Sequence, residues 1–239
     1  MANLQIWEQV EKTDPQYTKP FNRGGGFKGT ATNATYLAKR ATEVFGPMGL
    51  GWGVEIVEES YIEGAPIGED VREIIHKVLV QVWYKLDDQR GEVRQFGQTT
   101  FVGKNKHGYF TDEEHAKKSL TDGMSKCLAL LGFAADIHLG RYDDNKYVSE
   151  VTAEFSRDAK LEEAKKKLSG TIETIKTGIA SGDYSKAAEA WFELSDDEKQ
   201  SIWAAPTKGG PFTTKEREVM KTSEFREAYF GTGQQVANG

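Results

Sequence analysis

From Asn33 to Phe45, the residues Leu37, Ala41, Val44 and Phe45 recur at three- and four-residue steps, which gathers apolar side chains on one face of a helix. Gly46-Pro47-Met48-Gly49 stops it. Trp52, Val54 and Ile56 then alternate with Gly53 and Glu55, and beyond an acidic turn containing glycine and proline, Val78, Val80, Val82 and Tyr84 alternate again. These are predicted to be two antiparallel strands. Asp87-Asp88-Gln89-Arg90-Gly91 is turn chemistry, and Val93 to Val102, rich in Phe, Thr and Val, reads as a third strand. Thr111-Asp112-Glu113-Glu114 has the form of a capping box, in which a Thr hydroxyl and a Glu carboxylate satisfy each other's amides, so a helix is predicted to start there. Ala116, Leu120, Met124, Cys127, Leu128 and Leu131 form its apolar stripe, and Gly132 is its expected stop.

Helix, three-stranded meander and helix in that order predict an α+β core over residues 1–145. Asp143 to Arg157 is polar and weakly patterned, and residues 146–159 read as a linker. Leu161, Ala164, Leu168, Ile172, Ile175 and Ile179 then mark an amphipathic helix, Gly182-Asp183 breaks it, and Ala187, Ala188, Trp191 and Phe192 lie on the next. Ser195-Asp196-Asp197-Glu198 and Thr213-Thr214-Lys215-Glu216 are two further capping boxes. Residues 160–230 are therefore expected to be a small all-helical domain, in which Trp191, Phe192 and Trp203 form either a binding surface or, as suits so small a domain, the core, and 231–239 a disordered tail.

Composition changes this picture little. Of 239 residues, 38% are hydrophobic and 28% charged, the balance of a globular chain. The amino terminus lacks a basic region leading into an apolar run, and no stretch is long and apolar enough for a membrane span, so a cytoplasmic protein is expected. Cys127, the single cysteine, sits in an apolar helical run and reads as a small core residue.

Charge matters more. A net charge of −6 counts against a polyanionic partner, but the charges are segregated. Lys12, Lys19, Arg23, Lys28, Lys39 and Arg40 occur in a stretch whose one acid is Asp14, and Arg94, Lys104 and Lys106 form a second basic stretch. Glu55, Glu58, Glu59, Glu63, Glu69, Asp70 and Glu73 lie between, an arrangement that permits basic and acidic surfaces to face differently.

Catalytic signatures are missing from the residues that could carry them. The four histidines show no His-Glu-x-x-His and no pairing with cysteine, so no metal site is expected. Gly103-Lys104 is followed by Asn105, with Gln98 where a phosphate-binding loop needs its first glycine. Glu113-Glu114 and Asp143-Asp144 read as a helix start and a turn rather than as paired metal ligands. No cofactor and no catalytic residue is assigned. What remains is a set of cations: Arg23 and Lys28 beside Gly24-Gly25-Gly26, Lys39 and Arg40, and Lys104, Lys106, Lys117, Lys118 and Lys126. Each is either a solvated side chain or part of a phosphate track. At 3.6 residues per turn, Lys118 and Lys126 lie about 80° apart around their helix and Lys117 about 180° from Lys126.

The run Glu114-His115-Ala116-Lys117-Lys118-Ser119-Leu120-Thr121-Asp122-Gly123, continuing to Lys126 and ending Leu130-Leu131-Gly132, resembles a helix of the Rad fifty-two recombination mediator family, its phage-encoded branch in particular. Gly24-Gly25-Gly26-Phe27-Lys28, a helix ending Glu43-Val44-Phe45-Gly46, then Gly49 and Trp52, resembles that family's glycine triplet, helix and Phe-Gly segment in the same order. The likeness spans about residues 14 to 142. It implies a β-β-β-α annealing core that assembles into a ring or filament and holds single-stranded DNA in a basic groove, without ATP, during homologous recombination and repair. Lys126 matches the family's basic position after Thr-Asp-Gly, and Lys106 or Lys104 the lysine of the loop before the helix, but Ser125 and Ala129 stand where further basic residues are common. An arginine early in the family's first helix is replaced by about Tyr36. Tyr36, Tyr109 and Phe110 are candidate base-stacking residues, with core packing or loop anchoring as the competing role. A single-strand-binding protein, a nuclease or another subunit is the expected partner of the carboxy-terminal domain. Two other classes compete: a metal-dependent recombination nuclease, and a phage structural or adaptor oligomer whose lysines are merely solvated.

Overall fold

A computed structural model describes residues 3–22, 26 and 28–233 of the chain. A short helix, α1 (Gln5–Val10), and an antiparallel hairpin of β1 (Thr18–Asn22) and β2 (Lys28–Thr32) precede the first predicted helix. That helix is α2 (Ala34–Phe45). The Asn33 side chain accepts hydrogen bonds from the Thr35 and Tyr36 amides at its start, and Gly46, with φ of +91°, ends it.

Four strands follow, β3 (Trp52–Pro66), β4 (Arg72–Leu86), β5 (Gln89–Asn105) and β6 (Gly108–Thr111), paired antiparallel in the order β3-β4-β5-β6. Asp87 and Asp88, with φ of +47° and +63°, make the two-residue turn whose twist suits a hairpin. The meander thus has four strands rather than three, and the acidic stretch read as a turn is mostly strand. Its alternation is hidden by a bulge between Ile56 and Glu58: Val54 and Ile56 share a face before it, Glu59 and Tyr61 after it. The acids are tolerated because β3 is an edge strand with exposed side chains.

The next helix, α3 (His115–Leu130), begins three residues later than predicted. Thr111 ends β6 instead of capping the helix, and the Asp112 carboxylate accepts from the Glu114 amide at 3.0 Å. Its buried face is made of small residues, Ser119, Gly123 and Cys127 at four-residue spacing, together with Leu128, whereas Ala116 is exposed. Small residues let the helix lie close on the sheet. A Cβ on Gly97 of β5 would run into the Ser119 carbonyl oxygen and the Gly123 backbone, and one on Gly123 into the Val80 side chain. Leu37, Ala41 and Phe45 of α2, Trp52, Val78, Val80 and Val82 of the sheet, and Cys127, Leu128, Leu131 and Phe133 complete one core. Burial raises the Cys127 thiol pKa, consistent with a packing role. In α4 (Ala135–His138), the buried Asp136 carboxylate accepts from the Thr13 amide at 2.8 Å and the Thr13 hydroxyl at 2.7 Å, fastening the amino-terminal segment.

Residues 145–167 are a single helix, α5 (Asn145–Lys167), so the stretch read as a linker is helical. Its polar positions are mostly solvent-exposed, which weakens the apolar period without preventing a helix. The chain divides into two compact units between Val151 and Thr152. In the second unit α6 (Ser169–Ser181) ends at Gly182, α7 (Tyr184–Phe192) starts at the Asp183 cap, and α8 (Asp196–Ile202) and α9 (Thr214–Val219) both carry the predicted capping boxes. Ile172, Ile175, Ala187, Ala188, Ile202, Phe212 and Phe225 form its core, and Trp191, Phe192 and Trp203 pack half-buried against it. α10 (Ser223–Gly233) extends three residues into the expected tail, and residues 234–239 lie outside those described.

Candidate nucleic-acid interface

β6 pairs with β5 only from Val102 to Asn105, which leaves the same edge of β5 unpaired further back. Helix α3 closes that edge. The Gln98 amide donates to Asp122 Oδ2 at 3.1 Å, the Lys126 ammonium donates to the Phe96 carbonyl at 3.3 Å, and Lys126 Nζ lies 2.7 Å from Asp122 Oδ2. Gly123, next to Asp122, is the residue that lets the helix approach Gly97. The Thr121-Asp122-Gly123 run with Lys126 is therefore a fastening device, one glycine for distance and two charged side chains for the orphan edge groups. Lys126 is half-committed to the sheet while its charge stays partly exposed.

The other lysines of α3 are also paired. Lys118 Nζ lies 2.7 Å from Asp112 Oδ2, and Lys117 bonds the Glu114 carboxylate. These bonds hold the Asp112 and Glu114 carboxyls below their ordinary range, each through its lysine, and raise Lys118 through Asp112. Lys104 Nζ donates to the Ile67 carbonyl at 3.3 Å and lies 5.3 Å from the centre of the exposed Tyr109 ring. Lys106 is exposed in the β5–β6 turn and has no partner among the described residues. Lys104, Lys106, Lys118 and Lys126 thus follow the β5–β6 hairpin and the α3–β5 seam.

Lys39 and Arg40 form a separate group on α2. Both pair with Glu43, and Arg40 also donates to the Gln9 carbonyl at 2.6 Å. Lys28 is exposed at the start of β2 opposite Asn22, while Arg23, Gly24 and Gly25 lie outside the described residues. Among the stacking candidates, Tyr36 is buried against Tyr17 at a ring separation of 4.5 Å, and burial raises its pKa. Phe110 is half-buried, leaving Tyr109 as the exposed one. The segregation of charge that the sequence permits is incomplete at the hairpin, because Lys104 bonds the Ile67 carbonyl of the β3–β4 connection, which also contains Glu69 and Asp70.

Two features escaped the sequence reading. Asp112, Glu114 and Asp122 are tied to the lysines of α3, at spacings of six, three and four residues that the sequence itself displays. On the other sheet face, Lys77 lies 4.6 Å from the Phe96 ring centre and the Arg90 guanidinium 4.7 Å from that of Trp83. Cross-strand register creates those pairs, and register was not legible.

Glu59, His76 and Ser119 form a hydrogen-bonded chain with the membership of a hydrolytic triad, at 2.8 and 2.9 Å. His76 and Ser119 are both 0% exposed, so no substrate reaches the hydroxyl, and the chain acts as a satisfied polar link between β3, β4 and α3. Among the described residues no group of three His, Cys, Asp or Glu side chains is placed to hold a metal ion, and no helix is long and apolar enough to cross a membrane. Neither a scan against protein-family models nor a search of the curated proteins finds a match for this chain.

Proposed function

We propose that the chain binds single-stranded DNA and anneals complementary strands without nucleotide hydrolysis, as an oligomer acting in recombination. The observation that supports this most is that the two family-like segments, separated in sequence by residues 53–113, meet in one core: Leu37, Phe45 and Trp52 from the first pack with Cys127, Leu128 and Leu131 from the second. The fold that joins them is the antiparallel sheet capped by a helix that the resemblance implies.

In this reading the work is binding rather than bond chemistry, and the chain is not an enzyme. Lys104 and Lys106 on the hairpin and Lys118 and Lys126 on α3 neutralise successive phosphates, and Tyr109 offers an aromatic face that adds about 1 to 3 kcal/mol when a base stacks on it. Holding the backbone while base edges stay open reduces the disorder each strand loses before pairing. The outer edge of β3 pairs with no other described strand and exposes Ile56, Val57, Tyr61 and Ile62. A second copy is the proposed occupant of that edge, which would repeat the track from subunit to subunit. The second unit is the proposed recruiting module, and the proposed setting is the cytoplasm of a bacterial host, with the gene carried by a phage or plasmid.

Mixing two complementary labelled oligonucleotides with the purified chain and no nucleotide tests the reading. The expected result is faster pairing than in buffer alone, reduced in a Lys106→Ala, Lys118→Ala variant of unchanged oligomeric state. Pairing no faster than in buffer would reject it.

A further inference from the structure

We infer that Asp112 and Asp122 are built-in competitors for the strand, occupying Lys118 and Lys126 until a run of phosphates displaces them. This rests on the single-strand reading above and concerns how that site is regulated. Each lysine of α3 is held by a carboxylate of the same short segment: Lys118 by Asp112 at 2.7 Å, Lys126 by Asp122 at 2.7 Å, and Lys117 by Glu114. Lys106, ahead of the helix, has no such partner among the described residues.

The pairs are solvent-exposed, so breaking one is easy. Lys118 and Lys126 are each about half exposed, and losing an exposed pair changes a binding constant by at most about fivefold. A single phosphate gains little by displacing a carboxylate already in hydrogen-bond contact. A strand that anchors at Lys106 presents its next phosphates to Lys118 and Lys126 at high local concentration, and the exchanges then favour it together. The site would discriminate by length, ignoring free phosphate and mononucleotides. It would also release a strand readily, because the carboxylates stand ready to reclaim their lysines as the duplex forms.

The test is fluorescence anisotropy of labelled oligothymidylate with the full chain, at fixed salt. Asp112→Asn keeps the oxygen that accepts from the Glu114 amide, and Glu114→Gln alters a side chain at the helix start, so neither requires the core to move. Asp112→Asn is expected to tighten binding about two- to fivefold, the range set by exposed ion pairs, and Glu114→Gln, which frees Lys117 off the track, to change it less. Glu92→Gln, a charge-matched change on the face of β5 turned away from α3, is expected to leave it nearly unchanged. Lys118→Ala should weaken binding more in the Asp112→Asn background than in the natural chain. Unchanged or weaker binding by Asp112→Asn, with the natural chain binding, would overturn the inference and leave the function standing. So would equal tightening by Glu92→Gln, since charge alone would then explain it. If neither the natural chain nor the acid variants bind at low salt, both the function and the inference fall.

Discussion

Gly123 and Gly97 show how single positions set the geometry of the seam. Val80, β-branched and stiff, stands where a Gly123 Cβ would go, so Gly123→Ala is expected to lose about 1 to 3 kcal/mol of stability through overpacking. Gly97→Ala should cost more, because the obstruction is the Ser119 carbonyl of the helix backbone, which cannot turn aside. Urea titration of both variants checks the order, and equal stabilities would show that α3 shifts freely on the sheet. A pH effect is expected at the other end of the core. Burial, aided by the Asp136 carboxylate, raises the Tyr142 phenol and pushes that of Tyr147 up to about 12. Raised folded-state values mean that their contribution is complete below the unfolded value of about 10 and is lost as pH rises through the folded one. Thermal melting between pH 9 and 11 should therefore fall, and less steeply for Tyr147→Phe.

At the scale of elements, the capping boxes show where local sequence suffices and where it misleads. Ser195 and Thr213 each meet a Glu three residues on and start α8 and α9 as the pattern predicts. Thr111 has the same pattern and ends a strand, because β5 is in place to pair with it and a ladder outcompetes a cap. Ser195→Ala is expected to cost the second unit about 1 kcal/mol. It should also let the Glu198 carboxyl, held at about 2 by Lys167 and Ser195, rise toward its ordinary value. NMR titration of Glu198 reads this directly, and an unshifted titration would mean that Lys167 and the backbone amide of residue 195 hold it. Helix α2 was legible because its apolar period, its Asn33 cap and its Gly46 stop agree. β3 was legible only as far as Ile56, where the bulge reverses its faces and the acids hide the rest. The helix predicted from Leu161 to Ile179 is two helices, α5 and α6, parted at Leu168, and the first part of α5 is not legible because a surface helix with few buried positions has little apolar period to read. At the candidate site the lysines were legible as residue types, but their engagement was not, because it depends on a free sheet edge that tertiary pairing defines.

For the whole molecule, the open β3 edge and the lysine seam are the two surfaces the account depends on. An exposed edge with Ile56, Val57 and Ile62 invites strand addition by another chain. Val57→Pro, in the bulge, removes an amide there and is expected to weaken the proposed self-association while the chain stays folded. Light scattering coupled to size exclusion would show it, and an unaltered mass would place the contact elsewhere. The net charge of −6 makes non-specific attraction to polyanions weak, so single-strand binding, where it occurs, should come from the local track. The most direct measurement of that claim is the affinity of the full chain for a labelled single-stranded oligonucleotide as salt is varied. Log affinity is predicted to fall linearly with log salt at about 0.7 per phosphate contacted, with a shallower slope after Lys106→Ala and Lys118→Ala. No binding at low salt, or a slope that ignores these lysines, would contradict the account.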